Sequence, residues 1–176
     1  MKHFLVVVDM QNDFIDGSLG TAEALAITPA VVEKIHSFPG PVFATADTHG
    51  EDYLQSAEGR HLPVTHCVKG TAGWQFAPEI SAALVGRGAV VVEKPTFGSL
   101  ILPQLLEDAA AEEDFDITLV GLCTDICVIS NALLLKARFH EREIYVDPAC
   151  CAGVSPERHE AALKTMRSCQ INIIGE

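Results

Sequence analysis

Aromatic residues are scarce in this chain, at 6% of 176 residues, and the 12 Lys and Arg are outnumbered by 24 Asp and Glu. The resulting formal charge of -12 excludes a nucleic-acid or anionic-membrane surface, because no basic patch can be assembled against so much neighbouring repulsion. No apolar run approaches the roughly 20 residues that a membrane-spanning helix requires. Met1-Lys2-His3-Phe4 leads straight into a short apolar segment with no signal-peptide pattern, so a cytoplasmic location is expected. Cys67, Cys123, Cys127, Cys150, Cys151 and Cys169 include no C-x-x-C pair, and reduced thiols are expected rather than a disulfide framework. Both the G-x-G-x-x-G fingerprint after the first strand and the G-x-x-x-x-G-K-[ST] loop are missing, which leaves a nucleotide-binding reading without a motif.

Apolar residues are plentiful, at 48%, enough for one domain over residues 1–176 with a large core. Short apolar runs predict strands near Phe4–Asp9, Pro41–Asp47, Ala89–Glu93, Ile117–Gly121, Glu143–Asp147 and Ile171–Ile174. Helical patterns fall between them, near Thr28–Ser37, Pro78–Val85, Pro103–Glu112, Asp125–Phe139 and Pro156–Ser168. Ser155 followed by Pro156 is a strong start signal for the last of these. Near-continuous Val/Ile/Leu strands alternating with helices predict an α/β fold, a Rossmann-like six-stranded parallel sheet with helices on both faces. A hydrophobic domain of this size often hides surplus apolar surface between copies, so a homo-oligomer is expected.

Three reactive side chains fall where such sheets carry their ligand crevice, at the carboxyl ends of strands. Asp9 closes the first strand in VVVDMQNDF, Lys94 closes the third in VVVEKPTFGS, and Cys127 lies in the turn after the fourth, in GLCTDICV. Each has an unremarkable reading, as a turn-capping aspartate, a solvated lysine and a small buried thiol. At a helix N-terminus, free N–H groups and the helix dipole favour an anion, so the Cys127 thiol is expected to ionise readily. The long connection from Thr48 to Gln75 is another candidate, since loops of that length in compact domains tend to be functional. Asp47 and His49 stand two apart at its entrance and His66 near its end, a set suited to a divalent metal, although Asp-x-His also arises by chance.

GLCTDICV, with VVVDMQNDF and VVVEKPTFGS, resembles the motifs of the isochorismatase-like cysteine hydrolases, the superfamily that includes nicotinamidases. The resemblance implies a triad of Asp9, Lys94 and Cys127 acting on a small-molecule amide through a cysteine thioester, with nicotinamide to nicotinate as the first reading. It also implies an oxyanion hole from the backbone N–H groups of Cys123 and Cys127, aligned by a cis Leu122–Cys123 peptide that Leu-Cys itself does not signal. Metal ligands Asp47, His49 and His66 follow from it, with Glu58 or His61 as the fourth. Zinc is the first choice, and manganese or iron also suit O/N ligands. Phe14 is implied as a ring-stacking residue, and Phe97 is a second candidate wall; Trp74 is read as a loop anchor. Cys123 stands where the family often has alanine, as a structural substitute or as a thiol able to form a disulfide with Cys127; Cys67, Cys150 and Cys151 are read as packing residues. A carbamoyl or ureido amidase, a vinyl-ether hydrolase of the isochorismatase type and a non-catalytic binding member remain alternatives.

Overall fold

The computed structural model describes residues 1–175. The strands are β1 (Lys2–Val8), β2 (Val42–Asp47), β3 (Val90–Lys94), β4 (Phe115–Leu122), β5 (Ile144–Ala152) and β6 (Asn172–Ile173). They form one sheet in the order β3-β2-β1-β4-β5-β6 with every neighbouring pair parallel, the predicted architecture. The helices are α1 (Asn12–Ile15), α2 (Ala22–Ser37), α3 (Ala57–His61), α4 (Pro78–Gly86), α5 (Leu102–Ala110), α6 (Ile129–Arg138) and α7 (Pro156–Ser168).

Side chains alternate across a strand, and the sheet uses both faces. Phe4, Val6 and Val8 of β1 pack with Ile117 and Leu119 of β4 against Leu106 of α5, Leu135 of α6 and Met166 of α7. Leu5 and Val7 pack with Val120 and Leu122 against Val31 and Ile35 of α2 and Ile80 of α4. Each such residue contributes about 1.5–3 kcal/mol by leaving water, which is why these strands read as unbroken apolar runs. The strand order reverses between β1 and β4, so the crevice opens at the carboxyl ends of those two strands. At this point Gly121 has φ 115°, and a Cβ there would lie 2.2 Å from the Val8 carbonyl oxygen. Only glycine lets β4 approach β1 so closely just before the Cys127 turn.

Several boundaries differ from expectation. α2 starts at Ala22 rather than near Thr28, because Thr21 caps it by accepting from Ala24 N–H at 3.0 Å, and Pro29 lies two turns inside. β5 continues past the predicted end at Asp147 to Ala152, carrying Pro148 through an irregularity in the β4–β5 register. The predicted Asp125–Phe139 helix is divided into a π-helical turn, Thr124–Val128, and α6. Val128 N–H donates to the Cys123 carbonyl at 3.1 Å, a five-residue span that widens the turn around Cys127, and such turns recur at functional sites. α7 begins as predicted, with Ser155 Oγ accepting from Arg158 N–H at 3.3 Å. Among the described residues no helix is long and apolar enough to cross a membrane.

Candidate active site

Asp9, Lys94 and Cys127 come from three separated stretches of chain and meet at the carboxyl end of the sheet. Lys94 Nζ lies 2.6 Å from Asp9 Oδ2, 3.5 Å from Cys127 Sγ and 3.3 Å from Asp47 Oδ1. All three are nearly inaccessible, with Cys127 the most exposed at 5%. Thr96 carbonyl accepts from the same ammonium at 3.0 Å, and Thr45 Oγ1 donates to Asp9 Oδ1 at 2.7 Å. Asp9 Oδ2 receives no aligned hydrogen bond despite its ion pair, which leaves it a free lone pair. Asp9 has φ 48°, a left-handed backbone uncommon outside glycine, and such conformations persist where the surrounding structure requires them.

The electrostatics correct one expectation. Cys127 does not ionise readily: burial pushes its pKa well above the ordinary thiol value, and the Asp9 carboxylate adds to the rise against the opposing pull of Lys94. Burial is the largest of these effects and favours a neutral thiol, beside a carboxylate that can take its proton. Burial also raises Asp9, opposed by Lys94. For Lys94 burial works downward, but its pKa is nevertheless raised, because the Asp9 and Asp47 carboxylates face the ammonium and favour its charged form.

Asp47, His49, Glu58 and His66 gather in a second cluster beside the first, each offering one ligand atom, all within 4.8 Å of one another. His49 Nε2 lies 2.9 Å from Asp47 Oδ2 and 3.8 Å from Glu58 Oε1; His66 Nε2 lies 3.4 Å and 3.6 Å from the same two atoms. His66 Nδ1 is 2.8 Å from the Val64 carbonyl, so it carries the proton and turns the Nε2 lone pair inward, the tautomer a metal ligand needs. Burial and then the Asp47 charge raise the Glu58 carboxyl, a repulsion between two acids that a dication would relieve. Asp47 is held well below the usual carboxylate range: burial would raise it, but its hydrogen bond with His49 and the Lys94 charge prevail. The donor set thus fits a divalent metal. His61, the competing fourth residue, is exposed at the end of α3 and outside the cluster.

A narrow cavity of about 40 Å³ lies between the two clusters. Phe14, Phe97 and Ile126 wall it, Cys127 and Cys123 lie on one side, and His66, Asp47 and Glu58 on another. Both predicted phenylalanines therefore reach it, while Trp74 does not, its Nε1–H donating to Thr48 Oγ1 at 2.9 Å as a loop anchor. The Leu122–Cys123 peptide is cis.

Supporting residues escaped the sequence reading. Tyr53 packs its ring 4.7 Å from His49 and 4.8 Å from His66, and its hydroxyl donates to the Leu62 carbonyl at 2.9 Å. Asp13 Oδ2 accepts from Cys67 N–H at 2.8 Å and so pins the residue after His66. In a chain with two tyrosines, one inside a polar loop was a usable signal; Asp13 carried none.

The chain belongs to the isochorismatase domain family, whose model matches residues 3–175. It is 28% identical to the nicotinamidase/pyrazinamidase of Mycobacterium tuberculosis, with 97% of each chain covered. The pyrazinamidase of Pyrococcus horikoshii, solved in complex with zinc, is similar at 29% identity with a TM-score of 0.79, covering 99% of both chains. The nicotinamidase/pyrazinamidase of Bacillus subtilis gives 0.84 at 25% identity, covering 98% of this chain and 99% of the other.

Proposed function

We propose that the protein is a nicotinamidase, hydrolysing nicotinamide to nicotinate and ammonia through a thioester on Cys127. The observation that carries this reading is the meeting of Asp9, Lys94 and Cys127, at 2.6 Å and 3.5 Å, beside four side chains able to hold a metal, with Cys127, Asp47, Glu58 and His66 lining one cavity. The relatives from Mycobacterium tuberculosis and Bacillus subtilis carry the name nicotinamidase/pyrazinamidase, which supports it.

In the first half of the reaction, Asp9 accepts the Cys127 proton as sulfur attacks the amide carbonyl. Lys94 holds Asp9 in place and balances the charge that gathers beside it. Backbone N–H groups of Cys123 and Cys127 receive the carbonyl oxygen as it becomes an oxyanion. Asp9 returns the proton to the nitrogen, the C–N bond breaks, ammonia leaves and the thioester remains. In the second half, Asp9 takes a proton from water, the hydroxide attacks the thioester, and the thiol recovers a proton as nicotinate departs. Phe14 and Phe97 flank the ring.

Asp47, His49, Glu58 and His66 would hold a divalent metal, proposed as zinc, which supplies a Lewis-acid contact for a ring donor atom away from the scissile carbonyl. Benzamide shares the ring shape and the amide with nicotinamide and lacks the ring nitrogen. In steady-state ammonia release, kcat/KM for nicotinamide is expected to exceed that for benzamide by more than about tenfold, about 1.4 kcal/mol in barrier, and the gap is expected to narrow in His49→Ala. Equal values for the two amides would refute the nicotinamide reading and leave a general cysteine amidase.

A further inference from the structure

Asn131 lies one turn beyond Cys127 and is 1% exposed, yet no step above uses it. Its side-chain amide ties together two segments that are distant in sequence. Nδ2 donates to the Cys127 carbonyl at 2.8 Å and to the Phe97 carbonyl at 3.1 Å, while Oδ1 accepts from Ser99 N–H at 2.9 Å. Both amide protons and one oxygen lone pair are thereby fixed on backbone groups. One arm holds the turn that carries the sulfur. The other holds the loop that carries the Phe97 wall.

That loop is pinned from two further directions. Ser99 Oγ accepts from Leu102 N–H at 3.1 Å at the start of α5. Gly98 sits against α6 so closely that a Cβ there would come 2.4 Å from Leu134 Cδ1. Phe97 is 42% exposed, so its place over the cavity is set by its backbone more than by core packing. Aspartate at 131 would present only acceptors to two carbonyl oxygens, and an apolar residue would present nothing.

We propose that Asn131 is a positioning residue for substrate selection: it fixes the Phe97 wall relative to the Cys127 sulfur and so favours planar ring-bearing substrates over small aliphatic ones. The proposal rests on the ring-binding reading of the cavity given above. Asn131 is not among the residues lining that cavity and acts through Phe97.

The test needs no turnover. Cys127 in the purified protein is alkylated with iodoacetamide and with its N-phenyl derivative, each rate is normalised to a free thiol, and site-resolved mass spectrometry separates Cys127 from Cys123 and the exposed Cys169. The ring-bearing reagent is expected to have an advantage in the unsubstituted protein. Asn131→Ala is expected to cut that advantage about fivefold, the scale of one aromatic contact, while the iodoacetamide rate changes by less than about twofold. Phe97→Ala is expected to cut it equally, with no further loss in the double variant. Asn131→Ser serves in the same cycle if the alanine variant does not fold. A retained advantage, equal slowing of both reagents, or losses that add in full would overturn the proposal alone. Absence of any ring advantage in the unsubstituted protein would overturn the ring-binding reading with it.

Discussion

Cys127→Ala is expected to reduce amide hydrolysis by about 10⁴-fold or more and to leave the fold intact, because it removes the attacking sulfur and little else. The side chain is buried and small, and its loss is expected to leave the π-helical turn and the Asp9–Lys94 ion pair in place. Cys123→Ala is the matched control. It lies in the same cavity, and only its backbone N–H is assigned a part, so its variant is expected to keep most of the rate. Ammonia release by both variants, with circular dichroism to check folding, gives the comparison. An inactive Cys123 variant beside an active Cys127 variant would reverse the assignment of the nucleophile.

Asp9→Asn is expected to separate thiol acidity from catalysis. Burial is the first cause of the raised Cys127 pKa and the Asp9 charge is the second, so an uncharged amide at position 9 should let the thiol ionise at lower pH. Alkylation of Cys127 near neutral pH should therefore become faster. Turnover should nevertheless fall by about 10³-fold, since asparagine can neither take the thiol proton nor activate water for the second half of the reaction. A variant that is both more reactive toward iodoacetamide and unable to release ammonia is the signature of a general base. Parallel loss of both would reduce Asp9 to a structural partner of Lys94.

Four of the site residues legible in the sequence share one feature: each closes a strand or follows it directly. Asp9, Asp47 and Lys94 end apolar runs, and Cys127 follows one, so a parallel sheet brings them to one edge once the strands are identified. His49 and His66 were legible because a long polar loop has few other reasons to carry imidazoles at both ends. The supporting residues lacked any such signal. Thr45 is an interior strand residue, Asn131 an amide in the first turn of α6, and Asp13 one of many acids, and each matters only through a partner far away in the chain. The neutral state of Cys127 was misread for a related reason, since helix position is local but burial and the approach of Asp9 depend on the whole sheet. The early start of α2 was hidden by Pro29, whose usual place is a first turn.

The thioester on Cys127 is the central claim, and partitioning by hydroxylamine tests it most directly. With hydroxylamine present, the acyl group is shared between water and the added nucleophile, yielding nicotinate and nicotinohydroxamate. If nicotinamide and an alkyl nicotinate ester both acylate Cys127, the same intermediate forms from each, and the ratio of the two products is expected to be identical at every hydroxylamine concentration. A ratio that depends on whether ammonia or an alcohol has left, or nicotinate formed with no hydroxamate at all, would contradict a shared acyl-enzyme and with it the assignment of Cys127 as the nucleophile.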